Sequence, residues 1–312
     1  MQQPPAPYFY PPQNVHPPRR QRRLRRRRGC LLPSCMLLVA LPLMCLGAFL
    51  LAFILFPPTP TTIVLLGVDA RPGQGYLTRT DSIMLMNVAP GRAHVALLSI
   101  PRDVFIDVPG YGAQRINTIN VLGEQDAPGS GPDLIKASIQ QSFDIQANYY
   151  VRLDFDAFID LVDAVGGVNI DVPYVVEDWE YPTSEGGTEH IRFEPGEQHM
   201  DGATALKYAR TRHQDDDYRR AERQQQVVDA VVHKLSNPLQ VWRLPKVLSV
   251  LQSHIDTDMN VIDMLRLGPG FVLGWSGRES MVLDRDYLYV TDGGYAVPDY
   301  AQIQPWIDQN FD

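Results

Sequence analysis

Apolar residues along this chain recur with two periods, and each period predicts a different kind of element. Short apolar runs bounded by turn residues predict buried strands at Thr62–Val68 (TIVLLGV), Ser82–Val88 (SIMLMNV) and His94–Ile100 (HVALLSI), the last two joined by a Pro90-Gly91 turn. Tyr149–Leu153, Val168–Val172 and Tyr287–Thr291 read as further strands. Helical spacing covers Asp133–Phe143, Phe155–Val165 (closed by Gly166-Gly167), Gly202–Ala209, Leu244–His254 and Val261–Leu267. A longer helix starts near Tyr218, with Val227, Val228, Val231 and Leu235 on one face. No internal repeat is visible. Strands and helices mixed in this order predict an α/β fold in which helices cover a central sheet.

The front of the chain follows a different pattern. Residues 1–18 are rich in Pro, Gln and Tyr and predict a disordered tail, which extends through residue 29. RRQRRLRRRRG then places eight arginines (Arg19, Arg20, Arg22, Arg23 and Arg25 to Arg28) directly before Leu31–Phe56, a run without charge. That run exceeds the roughly 20 residues a bilayer-spanning helix needs, even with Pro33 and Pro42 inside it. A cleavable leader fits poorly, given the long basic tail, the length of the run and the lack of an A-x-A-like site. The sequence therefore predicts one transmembrane helix over residues 30–56. Its arginines lie in the cytoplasm against anionic lipid, and residues 57–312 lie outside, in a single-pass plasma-membrane topology. Only PPTPT separates Phe56 from the first strand, so the outer domain is expected close to the bilayer.

Cysteine and charge narrow the chemistry. Cys30, Cys35 and Cys45 are the only three cysteines, so the outer domain has no disulfide framework, thiolate nucleophile or thiolate metal site. Setting aside the eight arginines of residues 19–28, 20 of the 28 Lys+Arg remain against 36 Asp+Glu, a formal net of −16. Nucleic acid is a poor partner for such a surface, and none is expected.

Against that acidic background, one segment concentrates arginine. ALKYARTRHQDDDYRRAERQQQVVDA (Ala205–Ala230) brings Arg210, Arg212, Arg219, Arg220 and Arg223 around three aspartates and into a helix. Arg220 and Gln224 fall in line with the apolar face of that helix, where an arginine requires an anion beside it. Asp215, Asp216 or Asp217 could supply it as an ion pair, and a phosphate or pyrophosphate fits five arginines at a helix N-terminus. Asp69 ends the first predicted strand and Asp81 begins the second, with Arg71 and Arg79 in the loop between them. Paired strands would bring both carboxylates to one sheet edge, where they suit a hard cation such as Mg²⁺; their plain alternative is turn capping. Arg102 follows Pro101 at the end of the third strand, where α/β folds collect ligand groups. Lys136 by default lies on a solvated helix face, and Asn117 and Asn120 could bind either a loop or a ligand.

Together these stretches resemble the LytR–CpsA–Psr family of bacterial cell-wall enzymes. The match runs in order through LLGVDAR, RTDSIML, LLSIPRDV, INTIN, FDAFIDLVDAVGGVNIDVP, DGATALKYARTRH and DYRRAERQQQ, over about Thr62–Leu235. The resemblance implies a mixed central sheet with helices on both sides and a hydrophobic pocket for a lipid tail. It implies transfer of a glycopolymer from a polyprenyl-pyrophosphate carrier to the C6 hydroxyl of N-acetylmuramic acid in peptidoglycan, forming a phosphodiester and releasing polyprenyl phosphate. By motif, Asp69 and Asp81 would hold Mg²⁺, with Mn²⁺ as the alternative ion. Arg79, Arg102, Lys136, Arg210, Arg212, Arg220 and Gln224 would bind pyrophosphate, and Asp217 would be the base, with Arg102 and Arg220 also in the catalytic set. Arg71 and Asp103 would stand behind them.

Two other readings use the same groups. Water in place of the sugar hydroxyl gives a polyprenyl-pyrophosphate pyrophosphatase, and holding the carrier without turnover gives a binding protein. The acidic segment Tyr174–Glu197 reads as a loop able to narrow an acceptor cleft. Val241–Asp312 reads as the closing part of the same domain, docked by Trp306 and Phe311.

Overall fold

The computed structural model describes residues 40, 41, 43–45, 47–49, 51–53, 55–70, 75–183, 186–211 and 217–311, with Asp217, Pro238 and Val241 described by backbone alone. The predicted tail, Cys30, Cys35, Arg71, Arg212, Asp215, Asp216 and the first part of the predicted transmembrane segment lie outside the described residues. The chain divides into two compact units, Met1–Leu51 and Ala52–Asp312. Described positions between 40 and 55 are helical. Among the described residues, no helix is long and apolar enough to cross a membrane.

The larger unit runs in order through β1 (Thr61–Val68), β2 (Thr80–Ala89), β3 (His94–Ile100), β4 (Phe105–Val108), β5 (Gly112–Arg115), α1 (Ile116–Asp126), α2 (Gly131–Phe143), β6 (Ala147–Leu153) and α3 (Phe155–Ala164). It continues through β7 (Val168–Val172), β8 (Val176–Pro182), β9 (Thr188–Phe193), β10 (Gly196–Met200), α4 (Gly202–Arg210), α5 (Asp217–Ser236) and α6 (Leu244–Ser253). β11 (Asp256–Thr257), α7 (Val261–Gly274), β12 (Glu279–Val282), β13 (Leu288–Val290), β14 (Ala296–Pro298) and α8 (Tyr300–Phe311) complete it.

A six-stranded sheet in the order β11-β6-β1-β2-β3-β12 organises these elements. β1 and β2, β2 and β3, and β6 and β11 are antiparallel, whereas β1 with β6 and β3 with β12 are parallel, so the sheet is mixed. Side chains alternate across it. Val64, Leu66, Ile83, Leu85, Leu98 and Ile100 pack with Ile116, Ile119, Ile135, Ile139, Ile303 and Ile307 of α1, α2 and α8. Ile63, Met84, Met86, Val88, Val95 and Leu97 pack on the other side with Val232, Leu267 and Trp275. Both faces are covered, which is why these strands read as unbroken apolar runs. A further core joins α3, α4 and α5 to β7, β8 and β9 through Val162, Val168, Tyr181, Phe193, Tyr208 and Val227.

Local chemistry sets the helix ends. Asp154 and Asp201 cap α3 and α4, accepting from Ala157 N and Thr204 N at 2.8 Å each. Gly166 and Gly167 end α3 at φ +82° and +76°, a backbone region closed to most side chains.

The fold also corrects the sequence reading. The predicted loop Tyr174–Glu197 is chiefly the antiparallel hairpin β8–β9, running on into β10. α7 continues past Pro269 to Gly274, and α1, β4, β5 and α8 were not predicted at all. Trp306 and Phe311 pack against the main core from α8, their ring centroids 5.9 Å apart.

Candidate active site at the ends of β1, β2 and β3

Asp69 leaves the end of β1 and Asp81 is the second residue of β2, so strand pairing brings both to one edge. Pairing is not regular there. Gly67 pairs with Ser82 and Val68 with Thr80, which leaves Asp81 as the extra residue of a β-bulge. Bulges re-aim side chains and free backbone groups from the ladder. Gly67 permits the close approach, since a Cβ at that position would come 3.0 Å from Ser82 Cβ.

The Asp81 side chain and its backbone carbonyl each meet an arginine. Arg102 Nη1 donates to Asp81 Oδ1 at 3.0 Å, and Arg220 Nη2 donates to the Asp81 carbonyl oxygen at 3.2 Å. Arg102 follows Pro101 at the end of β3, and its Nε also lies 3.7 Å from Asp103 Oδ2, while Arg115 Nη1 lies 3.9 Å from Asp103 Oδ1. Arg220 is only 5% exposed, on the first turn of α5. Gln224, one turn further, accepts from Ser82 Oγ at 2.8 Å, and Gln225 Nε2 donates to Ser99 Oγ at 2.9 Å. These bonds fix the start of α5 across β2 and β3.

The remaining arginines differ in role. Arg223, 2% exposed, donates to the Tyr208 and Thr211 carbonyls at 3.1 and 2.6 Å, holding the end of α4. A cation at the last carbonyls of a helix is favourable there. Arg210 lies 3.9 Å over the Phe155 ring and donates to Tyr181 Oη at 3.2 Å. Burial pushes the Tyr181 phenol up despite the Arg210 charge beside it, so it stays protonated at neutral pH. Arg79 is exposed immediately before β2. Asp217 begins α5 one turn before Arg220.

Lys136 belongs to a different polar group. Its Nζ lies 2.9 Å from Asp258 Oδ2 and 3.0 Å from Asp133 Oδ1, and 5.4 Å from the Tyr150 ring centroid. Burial works against its charge, but the hydrogen bonds and charges of Asp258 and Asp133 win and hold its pKa above the usual lysine value.

Sequence reasoning missed the cluster that supports the Arg79 loop. Arg152 on β6, 2% exposed, binds Glu124 Oε1 at 2.7 Å, Asp256 Oδ2 at 2.8 Å and Asn120 Oδ1 at 2.9 Å. Its guanidinium lies 3.7 Å over the Tyr76 ring, and Asn120 Nδ2 donates to the Tyr76 and Thr78 carbonyls at 2.8 Å each. Asn120 thus binds a loop, one of the two roles open to it. Asn117 is buried, and its Oδ1 has no hydrogen-bond partner among the described residues. The usable signal was an arginine inside an apolar strand, NYYVRL.

Comparison with known proteins decides the family. The LytR_cpsA_psr family model matches residues 57–281, most of the chain and every described site residue above. The chain belongs to the LytR–CpsA–Psr family. It is 32% identical over 201 residues to a polyisoprenyl-teichoic acid–peptidoglycan teichoic acid transferase, TagU, of Oceanobacillus iheyensis, covering 64% of this chain and 59% of the relative. It is 28% identical over 210 residues to TagV of Bacillus subtilis, a transferase of the same name, covering 67% and 52%. The chain thus spans little more than half the length of these relatives. The crystal structure of B. subtilis TagV superposes with a TM-score of 0.64 at 23% identity, covering 81% of this chain and 98% of that one, which shows the LytR–CpsA–Psr fold.

Proposed function

We propose that this chain transfers a glycopolymer from a polyprenyl-pyrophosphate carrier onto peptidoglycan, with polyprenyl phosphate as leaving group. The new phosphodiester would form on the C6 hydroxyl of N-acetylmuramic acid. The observation that carries the reading is the double grip on Asp81, whose carboxylate is held by Arg102 and whose carbonyl is held by Arg220. Two cations from different elements converge on one strand end, as a pyrophosphate electrophile requires. Both relatives carry the name of such a transferase.

Phosphoryl transfer depends on charge neutralisation and alignment more than on covalent chemistry from the protein. Arg102, Arg220, Arg210 and Arg79 would bind the pyrophosphate oxygens, with Arg212 completing the set. Gln224 holds the strand–helix contact through Ser82. Lys136 would join only by exchanging its aspartate partners for phosphate. Asp217 would accept the proton of the attacking hydroxyl, a role typically worth about 10²–10⁴-fold in rate.

The donor set fits Mg²⁺ or Mn²⁺. Asp69 and Asp81 offer two carboxylates from adjacent strand ends without histidine or cysteine, and among the described residues no three or more His, Cys, Asp or Glu side chains are grouped so as to hold a metal ion. A hard cation with so few protein ligands completes its shell with phosphate oxygens and water. When bound, it would neutralise charge on the transferring phosphoryl group. Residues 30–56 would anchor the chain in the plasma membrane, with the catalytic unit outside and near its lipid-linked donor.

The test uses the full chain in detergent with a polyprenyl-pyrophosphate-linked sugar and Mg²⁺. Polyprenyl phosphate release that requires peptidoglycan and is lost in Arg102→Ala supports the transferase. Equal release without acceptor would instead establish a pyrophosphatase.

A further inference from the structure

The β8–β9 hairpin borders the arginine segment. Facing inward, Asp178 is 1% exposed and accepts from Thr211 Oγ1 at 2.7 Å, and Tyr181 Oη accepts from Arg210 Nη1 at 3.2 Å. Between these two anchors the register slips. Asp178 pairs with Ile191 and Tyr181 with Glu189, so Trp179 and Glu180 together oppose His190. Strand alternation with the buried Val176 and Asp178 points Trp179 outward, where it is 66% exposed, and the slip leaves Glu180 exposed beside it.

The exposed indole is braced from behind. Its ring lies parallel to the His190 imidazole, with centroids 3.7 Å apart and an interplanar angle of 8°. His190 Nε2 lies 2.8 Å from Glu177 Oε1, and Glu177 Oε2 accepts from Arg192 Nη1 at 3.1 Å. Hydrogen bonding from His190 and Arg192 holds the Glu177 carboxyl below the usual range, so Glu177 is ionised at neutral pH. His190 therefore covers one indole face.

We infer that Trp179 is a stacking platform for a pyranose ring of one of the two glycans, an inference that rests on the transferase reading. The C–H face of a pyranose is weakly positive and complements the negative face of an indole. The surroundings are polar, with Glu180, Thr188, His190 and Arg192 all exposed. An isolated aromatic ring in a polar setting suits a sugar, whereas a membrane surface or a large apolar protein interface is marked by a contiguous apolar patch. The hairpin that carries the platform is tied to the arginine segment from its inner face. Asp178, next to Trp179, fixes Thr211, and the Thr211 carbonyl accepts from Arg223 Nη2 at 2.6 Å, one turn along α5 from Arg220. A sugar on Trp179 would thus lie on the outer face of an element anchored to the pyrophosphate-binding segment.

The experiment uses the full chain in detergent, comparing wild type, Trp179→Ala, Trp179→Phe and His190→Ala. Co-sedimentation with insoluble peptidoglycan and KM for the acceptor form one arm; KM for the lipid-linked donor forms the other. Trp179→Ala is expected to weaken one arm about tenfold, with kcat little changed and Trp179→Phe largely restored. Loss in the first arm assigns the platform to the acceptor, and loss in the second to the donor. If Trp179→Ala also lowers Tm, His190→Ala serves as the second variant, weakening the same arm while leaving the indole in place. Wild-type affinity of Trp179→Ala in both arms, or of His190→Ala where that variant decides, overturns the inference. A wild-type chain that binds glycan through Trp179 without transferring it would defeat only the transferase reading.

Discussion

Arg102 and Asp81 meet at 3.0 Å across the ends of β3 and β2, joining the arginine expected to bind pyrophosphate to a carboxylate expected to bind metal. The pair is partly exposed, so its own contribution to stability is small, on the order of 0–1 kcal/mol. Arg102→Ala should therefore leave Tm within a few degrees of wild type while lowering kcat about 10²–10³-fold, as expected for one lost electrostatic donor. Thermal denaturation beside steady-state release of polyprenyl phosphate checks both halves.

Arg220 behaves differently because it is buried. Its bond to the Asp81 carbonyl holds the bulge to α5, and a hydrogen bond to a charged group contributes about 1.5–3 kcal/mol. Arg220→Ala should lose stability of that order together with transfer activity. Chemical denaturation would show whether the two losses coincide.

Arg223 sits one turn further along and touches carbonyl oxygens of α4. Arg223→Met should lower stability by about 1–3 kcal/mol. Donor KM, measured well below Tm, should stay near wild type. A large rise in donor KM at unchanged Tm would mean that Arg223 contacts the substrate.

Metal dependence should follow the two strand-end carboxylates. Asp69→Asn and Asp81→Asn should each raise the Mg²⁺ concentration giving half-maximal activity by about tenfold or more, equivalent to at least about 1.4 kcal/mol of binding. Chelation should abolish transfer, and added Mg²⁺ or Mn²⁺ should restore it. Activity unaffected by chelation would remove the metal assignment.

Acid stability should report on Glu124. Burial opposes its ionisation most strongly, but hydrogen bonds from Arg152 and the Gly129 amide, with the Arg152 charge, leave its pKa below the ordinary carboxylate value of 4.5. A depressed folded pKa means stability fully present above the unfolded value and lost as pH falls through the folded one. Unfolding free energy should thus decline below about pH 4.5, and Glu124→Gln should flatten that decline while lowering stability at neutral pH.

Much of the sheet was legible because β1, β2 and β3 are buried on both faces and carry unmistakable apolar runs. Asp69, Asp81 and Arg102 could be placed at their ends because antiparallel neighbours bring such ends together. The bulge at Asp81 was not legible, since it depends on the pairing of Gly67 and Val68 with β2. Nor was the hairpin at 174–197, whose alternation is broken by the slip at Trp179 and Glu180 and masked by acidic residues. Arg152 gave a local signal, but its partners Glu124 and Asp256 lie 28 and 104 positions away. Long-range polar clusters of this kind leave no periodicity to read.

The most direct test of the central claim examines the bond that is made. Peptidoglycan incubated with the full chain, Mg²⁺ and the lipid-linked glycan would be digested and its muramic acid fragments weighed by mass spectrometry. The account predicts a muramic acid carrying the glycan through a phosphodiester at C6, absent with Arg102→Ala. Unmodified muramic acid beside free glycan phosphate would contradict it and leave hydrolysis as the reaction.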